Sequence, residues 1–283
     1  MKLFKDFTDS YNTSILELIS WKATIARTFL GELRRYICNF SIQKYKTLSK
    51  LKNTKSGTAV ICSLGPSLYE NKASTRELLI KASEKKSLFV INHFMLTEFS
   101  DIKPTYQFLS DDAFFCDEKN QKYVSKVESV PEVVVLTRMT NSYKFRNENI
   151  IYFSGLNFPT VLKSINPKSM VGFADITILH SLSIALYMGY SRVIVCGFDN
   201  NRFMQINSVS PGEIYFKGMH AYDSMEVEKW GSRDTMIKIL SSHLVILKSL
   251  LLFKNKKILI IGESSLIDVF PKIDVKTAIG LLE

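Results

Sequence analysis

The stretch "TAVICSLGPSLYE", Thr58 to Glu70, decides the fold. An apolar run of strand length stops abruptly in small residues, Ser63-Leu64-Gly65-Pro66-Ser67. Continuous Val- and Ile-rich runs without polar alternation suit strands buried on both faces. Six further runs share this character: "SLFVIN" (87–92), "TYQFLS" (105–110), "EVVVLT" (132–137), "NIIYFS" (149–154), "RVIVCG" (192–197) and "KILIIG" (257–262). Helical stretches separate several of them, notably "ADITILHSLSIALYMGY" and "SRDTMIKILSSHLVILKSLLLF". Alternation of this kind predicts an α/β fold with a doubly wound, mostly parallel, Rossmann-like sheet.

At 283 residues, 46% hydrophobic and 23% charged, the chain can bury a large core and is not disordered. The predicted organisation is a basic helical extension over 1–56 and an α/β domain over 57–283. The extension holds eleven Lys/Arg against four acids, an excess of +7 out of a total of +10. Charge gathered at one end, away from the strand-rich region, argues against a nucleic-acid enzyme. Apolar residues at Ile15, Leu18, Ile19, Ile25, Phe29, Leu33, Tyr36, Ile37 and Phe40 follow helical spacing. Such a helix can pack on its own domain, pair with a sister chain in a homo-oligomer, or lie on an anionic membrane surface. "KNTKSG", Lys52 to Gly57, reads as a linker.

No apolar leader opens the sequence, and no run of about 18 apolar residues occurs. Cys38, Cys62, Cys116 and Cys196 form no CxxC pair, so they read as reduced thiols of a cytoplasmic protein.

Ligands of parallel sheets bind beyond the carboxyl ends of the strands. Those ends carry Gly65-Pro66-Ser67, Asn92, Ser110-Asp111-Asp112, and Asp199 with Arg202. The first turn has neither GxGxxG nor GxxxxGK[ST]. Pro66 nevertheless suits the first turn of a helix, which would leave the Ser67 and Leu68 amides as free donors for a phosphate. A plain strand-to-helix turn is the competing reading. Asn92 can donate to and accept from a base or sugar edge, or simply form a turn. Asp111 and Asp112 can bind a metal, act as a base or cap a helix. Among the histidines, His180 and His243 fall in apolar helical stretches and His93 beside Asn92. His220, in "EIYFKGMHAYD", falls on a predicted loop beside Tyr222 and is the candidate proton acceptor.

"GPSL" after the first strand, Asn at the end of the second, and the block "IALYMGYSRVIVCGFDNNRF" together resemble bacterial lipooligosaccharide sialyltransferases. They are also similar to motility accessory factors and pterin-pyrophosphokinase-like proteins with the same turn. The resemblance spans roughly 58–270 and leaves the first 57 residues outside. It implies an inverting, metal-independent glycosyltransferase without a cofactor. That enzyme would move a nonulosonic acid from a CMP-sugar to a glycan or lipid-linked acceptor such as lipopolysaccharide or capsule. It further implies nucleotide contacts at Gly65, Pro66, Ser67, Asn92, Ser110 and Asp199, and help for the leaving phosphate from Tyr222 and Arg202, with Tyr215 nearby. Family members carry Asn where this chain has Leu64 and Ser110. Their Ser-Gly pair falls near Thr177 or Gly172, and their catalytic His falls on Gly231. His220, eleven residues upstream of Gly231, is the candidate replacement, with Asp111 as the second candidate base. On this reading the enzyme is cytoplasmic and peripheral to the inner membrane, held there by the N-terminal helix, with no nucleic-acid partner. The competing classes are an ATP- and magnesium-dependent pyrophosphokinase-like transferase, with Asp111 and Asp112 on the metal, and a non-enzymatic scaffold.

Overall fold

The computed structural model describes residues 48–109, 126–127, 129, 131–136, 150–152, 156–157, 163–167, 171–172, 177–200, 206–210, 213–217, 227–229 and 243–283, with Ala26 and Leu30. Eight parallel strands form the central sheet: β1 (Thr58–Cys62), β2 (Leu88–Ile91), β3 (Tyr106–Leu109), β4 (Val133–Leu136), β5 (Ile150–Tyr152), β8 (Arg192–Cys196), β12 (Ile258–Ile261) and β13 (Lys272–Ile273). Their order is β13-β12-β8-β1-β2-β3-β4-β5. All seven predicted strands are present. The two-residue β13 was too short to carry a pattern.

The order explains where a ligand can enter. From β1 the chain winds outward through β2 to β5, then returns to β8 on the other side of β1 and continues to β12 and β13. The crevice beyond the carboxyl ends of β1 and β8 is therefore the topological switch point. Register is tight there, with Thr58 opposite Arg192 and Cys62 opposite Cys196.

Helix α1 (Lys72–Glu84) buries Thr75, Leu78, Leu79 and Ala82, one face at helical spacing. Helix α2 (Thr177–Met188) buries ten of its twelve residues, the polar Thr177, His180, Ser181 and Ser183 among them. The connections served by α1 and α2 run in opposite directions across the sheet. Right-handed crossovers therefore place the two helices on opposite faces. A short helix, α3 (Val275–Gly280), is capped by Asp274, whose carboxylate accepts from the Thr277 amide at 2.8 Å. Phe89 anchors the core. It stacks on Tyr106 at 4.4 Å and meets the Tyr190 ring edge-on at 5.7 Å. Burying one such ring is worth about 1.5–3 kcal/mol.

Two smaller sheets lie outside the main one. Strands β6 (Leu156–Asn157) and β7 (Val171–Gly172) pair in parallel. Strands β9 (Ile206–Ser210), β10 (Glu213–Lys217) and β11 (Val227–Lys229) form an antiparallel sheet. The segment expected to be one long loop after β8 thus contains three strands.

The predicted linker is partly docked. Asn53 donates its amide to Tyr187 O at 3.1 Å, and Lys55 donates to Met188 O at 2.8 Å. Leu48 is buried. Cys62 and Cys196 are buried free thiols side by side on β1 and β8. Burial, with Cys196 alongside, raises the Cys62 thiol well above its ordinary range. Cys38 and Cys116 lie outside the described residues. No helix among the described residues is long and apolar enough to cross a membrane.

Candidate functional site

The site is built from the ends of neighbouring strands. After β1 the chain turns at Gly65 and enters a 3-10 turn, Pro66–Tyr69, with Pro66 at its first position. Gly65 donates its amide to Gly197 O at 2.7 Å, which locks the end of β1 to the end of β8. A Cβ on Gly65 would lie 2.6 Å from that carbonyl and 2.4 Å from Asp199 Oδ2. Glycine is required here by the approach of the chain to itself.

The free-donor expectation for this turn is not met. The Ser67 amide donates to Asp199 Oδ2 at 2.8 Å, and the Leu68 amide donates to Gly65 O at 3.1 Å. A carboxylate from 132 residues downstream thus takes the place expected for a phosphate oxygen. The attraction has the same cause in both cases, since unpaired amides at the start of a helical turn favour an anion.

Asp199 is only 2% exposed, and its second oxygen, Oδ1, has no hydrogen-bond partner among the described residues. Burial raises its carboxyl above the usual range. Hydrogen bonding from Ser67 pulls the other way, and the charge of Glu70 adds to the rise. Gly262, at φ +125°, closes the third side, where a Cβ would lie 2.9 Å from the Ser67 hydroxyl. The ends of β1, β8 and β12 therefore meet around one buried carboxyl.

The sign of the pH effect follows. A carboxyl raised in the folded state binds its proton more tightly folded than unfolded. Its contribution to stability thus falls as pH rises from the unfolded pKa, near 4, through the raised folded value. The stability difference, wild type minus Asp199→Asn, should therefore decrease from pH 4 upward in urea unfolding. A difference that is flat or rises with pH would show that Asp199 ionises without penalty.

Asn92 marks the next strand end. It begins a 3-10 segment, Asn92–Leu96, at φ +37°, a left-handed conformation that Asn tolerates better than most residues. Its Nδ2 donates to Thr177 Oγ1 at 3.1 Å, joining the end of β2 to the first residue of α2. Its carbonyl accepts from Gln107 Nε2 at 2.9 Å. Gln107 is fully buried on β3 and was missed in the sequence, where it looks like one polar residue in an apolar strand.

The structure thus brings Gly65, Pro66, Ser67, Asn92, Thr177 and Asp199 to one edge of the sheet. Ser110, Asp111, Asp112, Arg202, His220, Tyr222 and Gly231 lie outside the described residues. His220 and Tyr222 fall in the stretch joining β10 to β11. Tyr215 lies on β10, opposite Lys229 of β11, and Gly172 ends β7.

No protein-family model matches the chain, and no curated protein matches it. Among solved structures, the chain is similar to the MAf glycosyltransferase of Magnetospirillum magneticum AMB-1, with 10% identity and a TM-score of 0.44. That match covers 80% of this chain but only 35% of the other, so the chain spans about a third of that protein's length. It is also similar to the sialyltransferase CstII of Campylobacter jejuni in complex with CMP-3FNeuAc. That match has 15% identity and a TM-score of 0.40, and covers 76% of this chain and 85% of that one. The complex of the same enzyme with cytidine-5'-monophosphate gives 16% identity and a TM-score of 0.39, covering 77% and 84%. At these identities and TM-scores the likenesses assign no function to the chain.

Proposed function

We propose that the chain is a glycosyltransferase that moves a nonulosonic acid from a CMP-sugar to a glycan or lipid-linked acceptor of the cell surface. One observation carries the reading. The motif residues that resemble the sialyltransferases are scattered from Gly65 to Asp199 in sequence, yet they gather at the carboxyl edge of one parallel sheet, Ser67 with Asp199 at the β1–β8 switch point and Asn92 with Thr177 at the neighbouring end of β2. Ligands enter doubly wound sheets at such a point.

In this reading the Gly65-Pro66-Ser67 turn forms one wall of the donor crevice, and Asp199 holds that wall in place. Asn92 contacts the nucleotide, with Ser110 beside it. His220 takes the proton of the attacking acceptor hydroxyl, and Asp111 is the second candidate for that role. The acceptor oxygen bonds to the anomeric carbon as the bond to the CMP phosphate breaks, which inverts the configuration. Tyr222 and Arg202 stabilise the charge that develops on the departing phosphate, as preorganised donors do. The reaction in this form uses no metal and no cofactor. The enzyme works in the cytoplasm at the inner membrane, to which the segment over 1–56 attaches it.

Asn92 separates ligand contact from architecture. Loss of one hydrogen-bonding group facing a ligand costs about 1–3 kcal/mol. Asn92→Ala should therefore weaken CMP binding by about five- to a hundredfold in calorimetric titration. Thr177→Val, which breaks the same internal hydrogen bond while keeping the Asn92 amide, should weaken it much less. Equal losses in both variants would make Asn92 a structural turn residue only.

A further inference from the structure

In a parallel sheet all strands begin at one edge, and here that edge is basic. Lys55 precedes β1, Lys86 precedes β2, Arg192 opens β8, and Lys256 and Lys257 precede β12. Backbone hydrogen bonds put them in one row. The Val193 amide donates to Lys257 O at 2.9 Å, the Arg192 amide to Gly57 O at 3.2 Å, and the Val60 amide to Ser87 O at 3.0 Å. Lys55, Lys85, Lys86 and Arg192 line a cleft of about 580 Å³ at this edge. Two of the edge's carboxylates are already paired, Glu132 with Lys86 and Glu283 with Lys81, each at 3.2 Å, and Glu84 is exposed. Lys254, Lys256 and Lys257 are exposed and enter no ion pair among the described residues. Among the described residues the carboxyl edge carries the carboxylates Asp199, Glu70 and Glu263, with the Lys272 ammonium on the Glu263 and Ser265 carbonyls.

Beside these lysines stand two apolar side chains that the described residues leave exposed. Leu251 is 53% exposed and Leu252 41% exposed, while the next residue, Phe253, is fully buried and fixes the turn to the core. Exposed leucines on a turn fixed to the core, with exposed lysines directly following, match a bilayer interface, where apolar groups enter the acyl boundary and cations meet anionic headgroups. Nucleic acid would instead call for exposed aromatic rings or a bed of arginines, and the cations and apolar groups this edge presents are lysines, leucines and one half-buried arginine. The basic segment over 1–56 joins the core at the same edge, through the Asn53 and Lys55 amides.

We infer that the amino edge of the sheet is an anionic-membrane docking surface, with Leu251 and Leu252 as its insertion point and Lys254, Lys256 and Lys257 as its electrostatic contact. This surface belongs to the core domain and adds to the N-terminal segment. It leaves the carboxyl edge facing away from the bilayer. The inference does not depend on which reaction the chain catalyses.

The test is co-sedimentation of the full chain with vesicles of phosphatidylcholine, with and without phosphatidylglycerol. Each lysine near an anionic surface contributes roughly a fivefold factor, so Lys254→Gln/Lys256→Gln/Lys257→Gln should weaken binding to the anionic vesicles by about a hundredfold at low salt. Leu251→Ser/Leu252→Ser should weaken it by about tenfold and leave its salt dependence unchanged. All five side chains are exposed, so both variants should unfold at the temperature of the wild type. Unchanged vesicle binding in both variants would overturn the inference and leave the N-terminal segment as the whole anchor. Equal binding to neutral vesicles, or displacement of the vesicles by duplex DNA at the same salt, would also overturn it.

Discussion

His220→Ala is expected to lower kcat by about 10²–10⁴-fold while CMP binds as tightly as before. An attacking sugar hydroxyl must lose its proton as it bonds to the anomeric carbon, and imidazole is the side chain that is neutral and basic near pH 7. The other histidines are poorly placed for this. His180 is 2% exposed on α2, and His243 is part of the helical stretch 243–250. His93 follows Asn92, on the side that the proposed function gives to the donor. A base that must be deprotonated also gives the rate profile an acidic limb, and that limb should vanish in the variant. Full turnover in His220→Ala would transfer the role to Asp111, and an Asp111→Asn variant would then show the loss.

Gly65→Val is expected to destabilise the fold before it affects any ligand. The added Cβ would sit 2.6 Å from the Gly197 carbonyl and 2.4 Å from Asp199 Oδ2. The first of these is backbone, itself tied to Gly65 by the 2.7 Å hydrogen bond between β1 and β8, so it cannot move aside cheaply. Overpacking of this kind costs about 1–3 kcal/mol for one or two methylenes, and the branched side chain of Val goes further. Gly280→Ala provides the control, because a Cβ there meets nothing within 4 Å. It should be neutral, or stabilising by up to about 1 kcal/mol, since alanine suits a helix better than glycine. Thermal unfolding reads both variants. A Gly65→Val protein as stable as wild type would mean that the three-strand junction around Asp199 yields easily, and Asp199 could not then hold the donor wall.

How far the sequence reveals this molecule depends on distance along the chain. Buried strands announce themselves locally, because each must be apolar on both faces, and "AVIC", "FVI" and "VIVC" are visible as such. The polar strand ends were equally visible, and Gly65, Ser67, Asn92 and Asp199 do share one edge. The partners of those residues were not visible. Nothing near Ser67 in sequence indicates that its amide is taken by a carboxylate 132 residues away, nor that Asn92 reaches across 85 residues to Thr177. The glycine at 65 is visible in the sequence, but not the Gly197 carbonyl and Asp199 carboxylate that crowd it. The antiparallel sheet of β9, β10 and β11 escaped notice for another reason. "INSVS" and "VEK" are mixed in polarity and short, and they give neither the continuous apolar run nor a long alternation.

The measurement that bears most directly on the proposed function is a titration of the full chain with CMP, UDP, GDP and ADP, with and without EDTA, followed by thermal unfolding. A ligand that binds only the folded state raises stability by about 2.7 kcal/mol at a hundred times its Kd. The account predicts stabilisation by CMP alone, undiminished by EDTA and reduced in Asn92→Ala. Stabilisation by ADP that disappears with EDTA would contradict it in favour of magnesium-dependent phosphoryl transfer, and no stabilisation by any of the four would make the chain a scaffold that has kept only the fold.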